Sequence, residues 1–314
     1  MWCQTVQELR QKRSRPGIES LCRLFGHSRQ AWYKNVQFLY KKASEDEIML
    51  EMVHRIRKDM PRMGGRKLIH LIKEKSEGQI AVGRDGFYNL LRRNGLLVRR
   101  RRNRVVTTNS FHWLRKYPNL IRDLKATRPN QIWVSDITYI KTDEGFLYLF
   151  LLTDLYSRKI IGWKLADNMG SENAVMALEQ AIANANGLVR GTIHHSDRGM
   201  QYCSGDYVKI LQGNQMRISM TENGDPYENA VAERVNGILK DEWLYEMQLK
   251  NQKHSLEILN QIIALYNENR PHLSLNYQTP DMVYNNHQTN TPITPLKCKP
   301  HNELKNVLVN LCQD

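Results

Sequence analysis

Cysteine is sparse in this 314-residue chain: five residues, at positions 3, 22, 203, 298 and 312, with no CxxC pair. An odd number of isolated thiols excludes a disulfide framework and speaks against a structural zinc. Long hydrophobic runs are missing too. The longest, residues 146–155, is interrupted by Tyr148, Thr153 and Asp154 and is too short to span a bilayer. The first residues, Met1-Trp2-Cys3-Gln4-Thr5, lack the basic and apolar regions of a signal peptide, so a cytosolic protein is expected. No a/d heptad run is present, which leaves the chain without a coiled coil of its own.

Acidic residues are scarce in one part of the chain only. Residues 1–128 hold 11 Asp plus Glu against 30 Lys plus Arg, a net of +19, whereas residues 129–314 hold 21 against 16, a net of −5. A basic first part suits a polyanion, because each neutralised phosphate releases condensed counterions. An acidic second part acting on the same polymer needs its carboxylates offset, and divalent cations are the obvious means. With 41% hydrophobic and 25% charged residues the chain is an ordinary globular protein of roughly two domains.

Residues 18–34 read as a short apolar-periodic helix, a break at Gly26 and a Ser28-capped second helix, the spacing of a helix-turn-helix. A two-helix hairpin of any other kind shares that spacing. Further helices are expected over 45–58, 65–75 and 84–94, the last stopped by Gly95. Arg99, Arg100, Arg101, Arg102 and Arg104 then follow within six residues. Such a run is either a solvated surface or a phosphate grip, and its place between helical units favours the grip. From Gln131 the pattern changes to strands over 131–141, 145–155 and 159–166, with turn signals between them. Helices at 171–186, 204–213 and 226–247 alternate with short strands at 191–196 and 217–220. The expected division is a helix-turn-helix segment 1–44, a second helical DNA-binding module 45–104, a basic linker 105–128, a mixed α/β core 129–284 and a loose tail 285–314.

Three acids stand where strands and a helix present them to one edge. Asp136 lies on the first strand, Asp197 follows the apolar strand Thr192-Ile193-His194-His195, and Glu233 lies in the long helix. Taken singly, each reads as a solvated carboxylate. Together they suit a magnesium site for phosphate chemistry, which needs hard oxygen ligands converging from separate elements with room left for water and phosphate. Asp197 and Glu233 are separated by 35 residues, and Asn229, Asn236 and Lys240 share the face of Glu233 at helical spacing. Such a face is polar-site material. His194 and His195 alternate along their strand and are not assigned as ligands.

The spacing Asp, Asp, 35 residues, Glu resembles the DDE transposase and retroviral integrase superfamily. More narrowly, the segments His195-Ser196-Asp197-Arg198-Gly199-Met200-Gln201-Tyr202, Glu228 to Gly237 and Tyr266-Asn267-Glu268-Asn269-Arg270-Pro271-His272 resemble the OrfB product of two-frame bacterial insertion sequences, over about residues 18–284. The resemblance implies an α/β fold: a ribonuclease-H-like mixed five-stranded sheet with flanking helices, preceded by all-α helix-turn-helix modules. It implies that Asp136, Asp197 and Glu233 bind two Mg²⁺ or Mn²⁺ ions, with Asp136 bridging, for nicking and strand transfer without a covalent protein intermediate. It also implies that Lys240 contacts element-end DNA, with the five arginines, Asn229 and Asn236 as further DNA contacts. The partners implied are terminal-repeat and target DNA, further copies of the chain on that DNA, and an upstream OrfA product or frameshift fusion, in the bacterial cytoplasm and nucleoid. A ribonuclease H-type nuclease would share the acids without needing the helical modules. A DNA-binding regulator with a decayed catalytic domain would not keep all three acids and Lys240.

Overall fold

The computed structural model describes residues 2–11, 17–80, 82–99, 113–222 and 229–286. Arg100, Arg101, Arg102 and Arg104, and the tail from 287 onward, lie outside the described residues.

Helices α1 (Trp2–Gln11), α2 (Ile18–Leu24) and α3 (Arg29–Asp59) open the chain. Cys3, Val6, Leu21, Cys22 and Trp32 form their small core. The two helices expected over 18–34 are α2 and the start of α3. Gly26 takes a φ of 72° in the turn, where a side chain would be strained, and the Ser28 hydroxyl caps α3 by accepting from the Ala31 amide at 3.1 Å. The division expected at residues 44/45 falls inside α3, which runs unbroken for 31 residues. No glycine or proline interrupts it, and Lys41 to Glu47 are good helix formers.

Helices α4 (Gly65–Lys75) and α5 (Arg84–Arg93) follow, then strands β1 (Ile132–Thr142), β2 (Gly145–Asp154) and β3 (Ile160–Ala166). Next come α6 (Ser171–Asn184), β4 (Ile193–Ser196), α7 (Met200–Cys203), α8 (Gly205–Gly213), β5 (Arg217–Met220), α9 (Ala230–Glu242), α10 (Gln252–Ala264) and α11 (Pro280–Asn286). The five strands form one mixed sheet in the order β3-β2-β1-β4-β5. Antiparallel pairing joins the first three strands and parallel pairing joins β1 to β4 and β4 to β5. This is the ribonuclease-H-like arrangement. Among the described residues no helix is long and apolar enough to cross a membrane.

Side chains alternate across the strands, so each sheet face has its own core. Trp133, Phe150, Leu152 and Ile161 face α6 and α8, whereas Leu149, Leu151 and Leu165 face the α9 and α10 side. That second core also contains Met49, Val53 and Ile56 of α3, Leu68 and Ile72 of α4, and Phe87 and Leu91 of α5. The second helical module is therefore fused to the catalytic core by shared apolar packing. Of the linker expected over 105–128, residues 105–112 lie outside the described residues, and residues 113–128 pack onto the sheet. They cover the edge strand β5, with the Leu120 amide bonded to the Ser219 hydroxyl at 2.8 Å and the Asn119 amide to Glu222 at 3.0 Å.

The long helix expected to run to residue 247 stops as α9 at Glu242, and a 3₁₀ turn over Leu244–Glu246 follows. The cause is tertiary. Trp243 is buried and its indole donates to the Asp59 carbonyl at 2.8 Å, which pulls the chain off the helical path. Helices α1, α10 and α11 carried no clear marker in the sequence.

Gly162 on β3 lets α6 lie directly on the sheet. A Cβ there would stand 2.3 Å from the Ala177 carbonyl oxygen and 2.8 Å from the Ala181 Cβ. Gly162→Ala is expected to destabilise the protein by about 3 kcal/mol through overpacking. Gly213→Ala, where a Cβ meets nothing within 4 Å, serves as the reference. Thermal unfolding decides, and equal melting temperatures for the two variants would refute the close approach.

Candidate active site

Strand register brings the first two acids together. The paired residues of β1 and β4 differ by 61 positions, as in Ile132 with Ile193 and Val134 with His195. Asp136 and Asp197 differ by the same 61, so extending the register by two residues sets Asp136, in the middle of β1, level with Asp197, just beyond the carboxyl end of the neighbouring parallel strand β4. Asp197 begins a tight turn in which its Oδ1 accepts the Gly199 amide at 3.0 Å.

Helix α9 packs over this edge and holds Asp136 in place. Asn236 Nδ2 donates to Asp136 Oδ2 at 2.7 Å, and Asn229 Nδ2 donates to the Ser135 carbonyl at 3.0 Å. Both asparagines were expected to touch DNA. In the structure Asn229 and Asn236 are 6% and 5% exposed and face β1, where they fix the backbone and carboxylate of the Asp136 segment. Their side-chain oxygens have no partner, which leaves unsatisfied polar atoms beside the carboxylates. Lys240, two turns beyond Glu233, is half-buried with its ammonium 4.6 Å from the centre of the Tyr139 ring. Burial pulls its pKa down, while the Asp136 carboxylate favours its charged form. Glu233 is exposed on the first turn of α9, just after residues 223–228, which lie outside the described residues.

Burial and the neighbouring Asp197 carboxylate push the Asp136 pKa up to about 7, Glu233 adding a smaller push against the Asn236 hydrogen bond. Two carboxylates this close do not both ionise comfortably. The donor set is oxygen only, with one Asp136 oxygen pinned by Asn236, and this fits a hard divalent cation. The structure does not close all three acids on one point. Among the described residues no group of three His, Cys, Asp or Glu side chains is gathered tightly enough to hold a metal ion. Asp136 and Asp197 are brought together; Glu233 shares their field from the helix above.

The histidines of β4 are structural. His194 Nε2 meets the Ser135 hydroxyl at 2.6 Å and the Tyr207 hydroxyl at 2.8 Å, and burial drives its pKa down to about 3, so it is neutral. His195 Nδ1 meets the Ser219 hydroxyl at 2.8 Å. Arg99 is exposed, and its carbonyl accepts from Arg62.

A second polar cluster anchors the far end of α9. Glu242 accepts from Arg270 Nε at 2.8 Å, from the Arg270 terminal nitrogen at 2.6 Å and from Lys67 of α4 at 3.1 Å. Arg270, 2% exposed, also meets His272 Nε2 at 2.7 Å. These partners hold the Glu242 carboxyl below its usual range despite burial. Arg270 and His272, whose roles the sequence left open, thus close the fold. Glu242 went unnoticed in sequence although a signal existed: it is an acid flanked by Leu239, Trp243 and Leu244 on the apolar side of its helix.

Comparison with known proteins identifies the family. Two models described as integrase core domain match residues 126–226 and 214–280. The 31 kDa protein of insertion element IS600 from Shigella sonnei is 35% identical over 264 residues, 83% of this chain and 96% of that protein. The InsF transposase of insertion sequence IS3A from Escherichia coli is 38% identical over 184 residues, 58% of this chain and 64% of that protein. Among solved structures, the HTLV-2 integrase catalytic core in complex with magnesium is 19% identical, covering 51% of this chain and 99% of that one, with a TM-score of 0.42. The chain belongs to the insertion-sequence transposases that carry an integrase core, DDE-type polynucleotidyl transferases.

In metal-free protein the folded Asp136 holds a proton up to about pH 7, whereas unfolded aspartate releases it near the ordinary 3.8. Stability therefore falls as pH rises between these values, and the full cost is present above 7. Asp136→Asn removes that cost. The variant should match the parent at pH 4 and exceed it at pH 8 by about 1–3 kcal/mol. Calorimetric melting in EDTA across this range is the measurement, and a pH-independent difference would contradict the assigned repulsion.

Proposed function

We propose that this transposase nicks duplex DNA at the ends of its element and joins the freed 3′-hydroxyl to target DNA, using Asp136, Asp197 and Glu233 with two divalent ions, Mg²⁺ or Mn²⁺. The observation that carries the reading is the placement of Asp136 beside Asp197, close enough for the second carboxylate to raise the pKa of the first. Bound there, the ions would lower the pKa of the attacking water or hydroxyl and stabilise the leaving 3′-oxygen. Asn236 orients the Asp136 carboxylate, Asn229 holds the β1 backbone before it, and Lys240 offers a point charge to a phosphate beside the strand. No side-chain nucleophile is required, and neutral, hydrogen-bonded His194 is not a base.

Duplex DNA as substrate is supported by the charge division and by the face of α3. Arg29, Gln30, Tyr33, Lys34 and Gln37 are all exposed, and their spacing puts them on one side of the second helix of the helix-turn-helix. That side suits the major groove, with hydrogen-bonding and cationic groups at its amino-terminal end. The arginine run adds phosphate contacts in this reading. An OrfA-type product or fusion supplies the coiled coil that the chain lacks, and further copies assemble on the DNA in the bacterial nucleoid.

Asp136→Asn, Asp197→Asn and Glu233→Gln should each lower cleavage of a labelled element-end duplex at least about a thousand-fold, and double variants should fall little further, because the acids act as one unit. Substantial Mg²⁺-dependent cleavage by Glu233→Gln would remove it from the ligand set. A separate measurement addresses the helical region. Arg29→Ala combined with Lys34→Ala should weaken duplex binding about tenfold and flatten the dependence of log affinity on log salt by roughly two units. An unchanged slope would take this face out of the interface.

A further inference from the structure

The turn after Asp197 carries a buried hydroxyl with nothing to bond. Tyr202, on α7, is 2% exposed, and its phenolic oxygen has no hydrogen-bond partner. Its ring is fixed by aromatic neighbours, with centroids 5.5 Å from Tyr207 and 6.1 Å from His194. A methyl added at Gly199 would lie 3.0 Å from Asp197 Oδ1 and 3.7 Å from Tyr202 Cδ2, so carboxylate and ring border the same small space. Burial, with the Asp197 and Asp136 carboxyls nearby, holds the phenol protonated, leaving it able to donate. A buried donor without an acceptor costs stability, and the costs of such groups are tolerated where a function uses them.

We propose that Tyr202 is a positioning residue for the Asp197 carboxylate: its hydroxyl donates to that carboxylate when a divalent cation draws on it, fixing the orientation in which the oxygen ligates. The cation fixes one carboxylate oxygen, and a donor from a rigid aromatic wall fixes the other, as outer partners of metal ligands generally do. Packing of the ring alone needs no oxygen atom, since phenylalanine fills the same volume. The inference rests on the metal-dependent reading above.

The test is Tyr202→Phe in the full chain, with the melting temperature followed against MgCl₂ in the absence of DNA, beside the parent protein and Asp136→Asn. In EDTA the variant should melt about 2 °C above the parent, because an unsatisfied hydroxyl is gone. The Mg²⁺ concentration at the midpoint of the thermal shift should rise about tenfold. End cleavage should fall by about the same factor at limiting Mg²⁺ and recover in excess. A melting temperature lowered by several degrees in EDTA would mean that the hydroxyl is already bonded in the unloaded protein, and would overturn the proposal. So would an unchanged Mg²⁺ midpoint beside a parent that responds and an Asp136→Asn variant that does not. A parent protein with no Mg²⁺ response at all would instead bring down the metal-dependent reading, and this inference with it.

Discussion

The buried ion cluster around Glu242 sets the position of the helix on which the site depends. Three nitrogens from two other segments converge on one carboxylate, in surroundings where removing any partner would strand a charge. Because Glu242 closes α9, the cluster fixes the helix lengthwise, and Asn236, Lys240 and Glu233 take their heights above the sheet from it. Lys67 ties the same carboxylate to α4, and Arg270 ties it to the segment after α10. Helices, sheet and carboxyl-terminal region therefore meet at a single side chain some distance from any acid of the reaction centre.

Much of this was legible from residues alone, for identifiable reasons. The strands announced themselves through β-branched and aromatic alternation, and the antiparallel run of the first three followed from the turn signals between them. Asp136 was visible as an acid within an apolar strand, and Asp197 as the acid that follows one. Asn229 and Asn236 were seen as polar residues on the right helix face, but spacing does not say whether such a face turns to solvent or to a neighbouring strand. Their inward bonds decide it. The fusion of α3, α4 and α5 with the sheet was hidden for a related reason. A charge contrast between two regions reports what each surface meets, and is silent on the apolar residues through which they join.

The site combines rigid and unfinished parts. Beneath it, the Ser135 and Tyr207 hydroxyls both meet His194 Nε2 and tie β1, β4 and α8 together. Above it, the side-chain oxygens of Asn229 and Asn236 remain unbonded and Glu233 stands in solvent. Such a division keeps the aspartates at fixed positions while the groups around them wait for polar atoms supplied from outside.

The unbroken course of α3 has a metrical consequence. At 1.5 Å per residue its 31 residues extend about 46 Å, with one end in the amino-terminal bundle and the other sealed by Met49, Val53 and Ile56 into the domain that holds the carboxylates. A strut of that length works as a ruler. Laid along duplex DNA as proposed above, it would span roughly 13 base pairs at about 3.4 Å each, and would hold the groove entered by the bundle and the phosphate to be cut at a set separation and rotational phase. Inserting or deleting residues in the middle of the strut would change both quantities together, by about 1.5 Å and 100° for each residue.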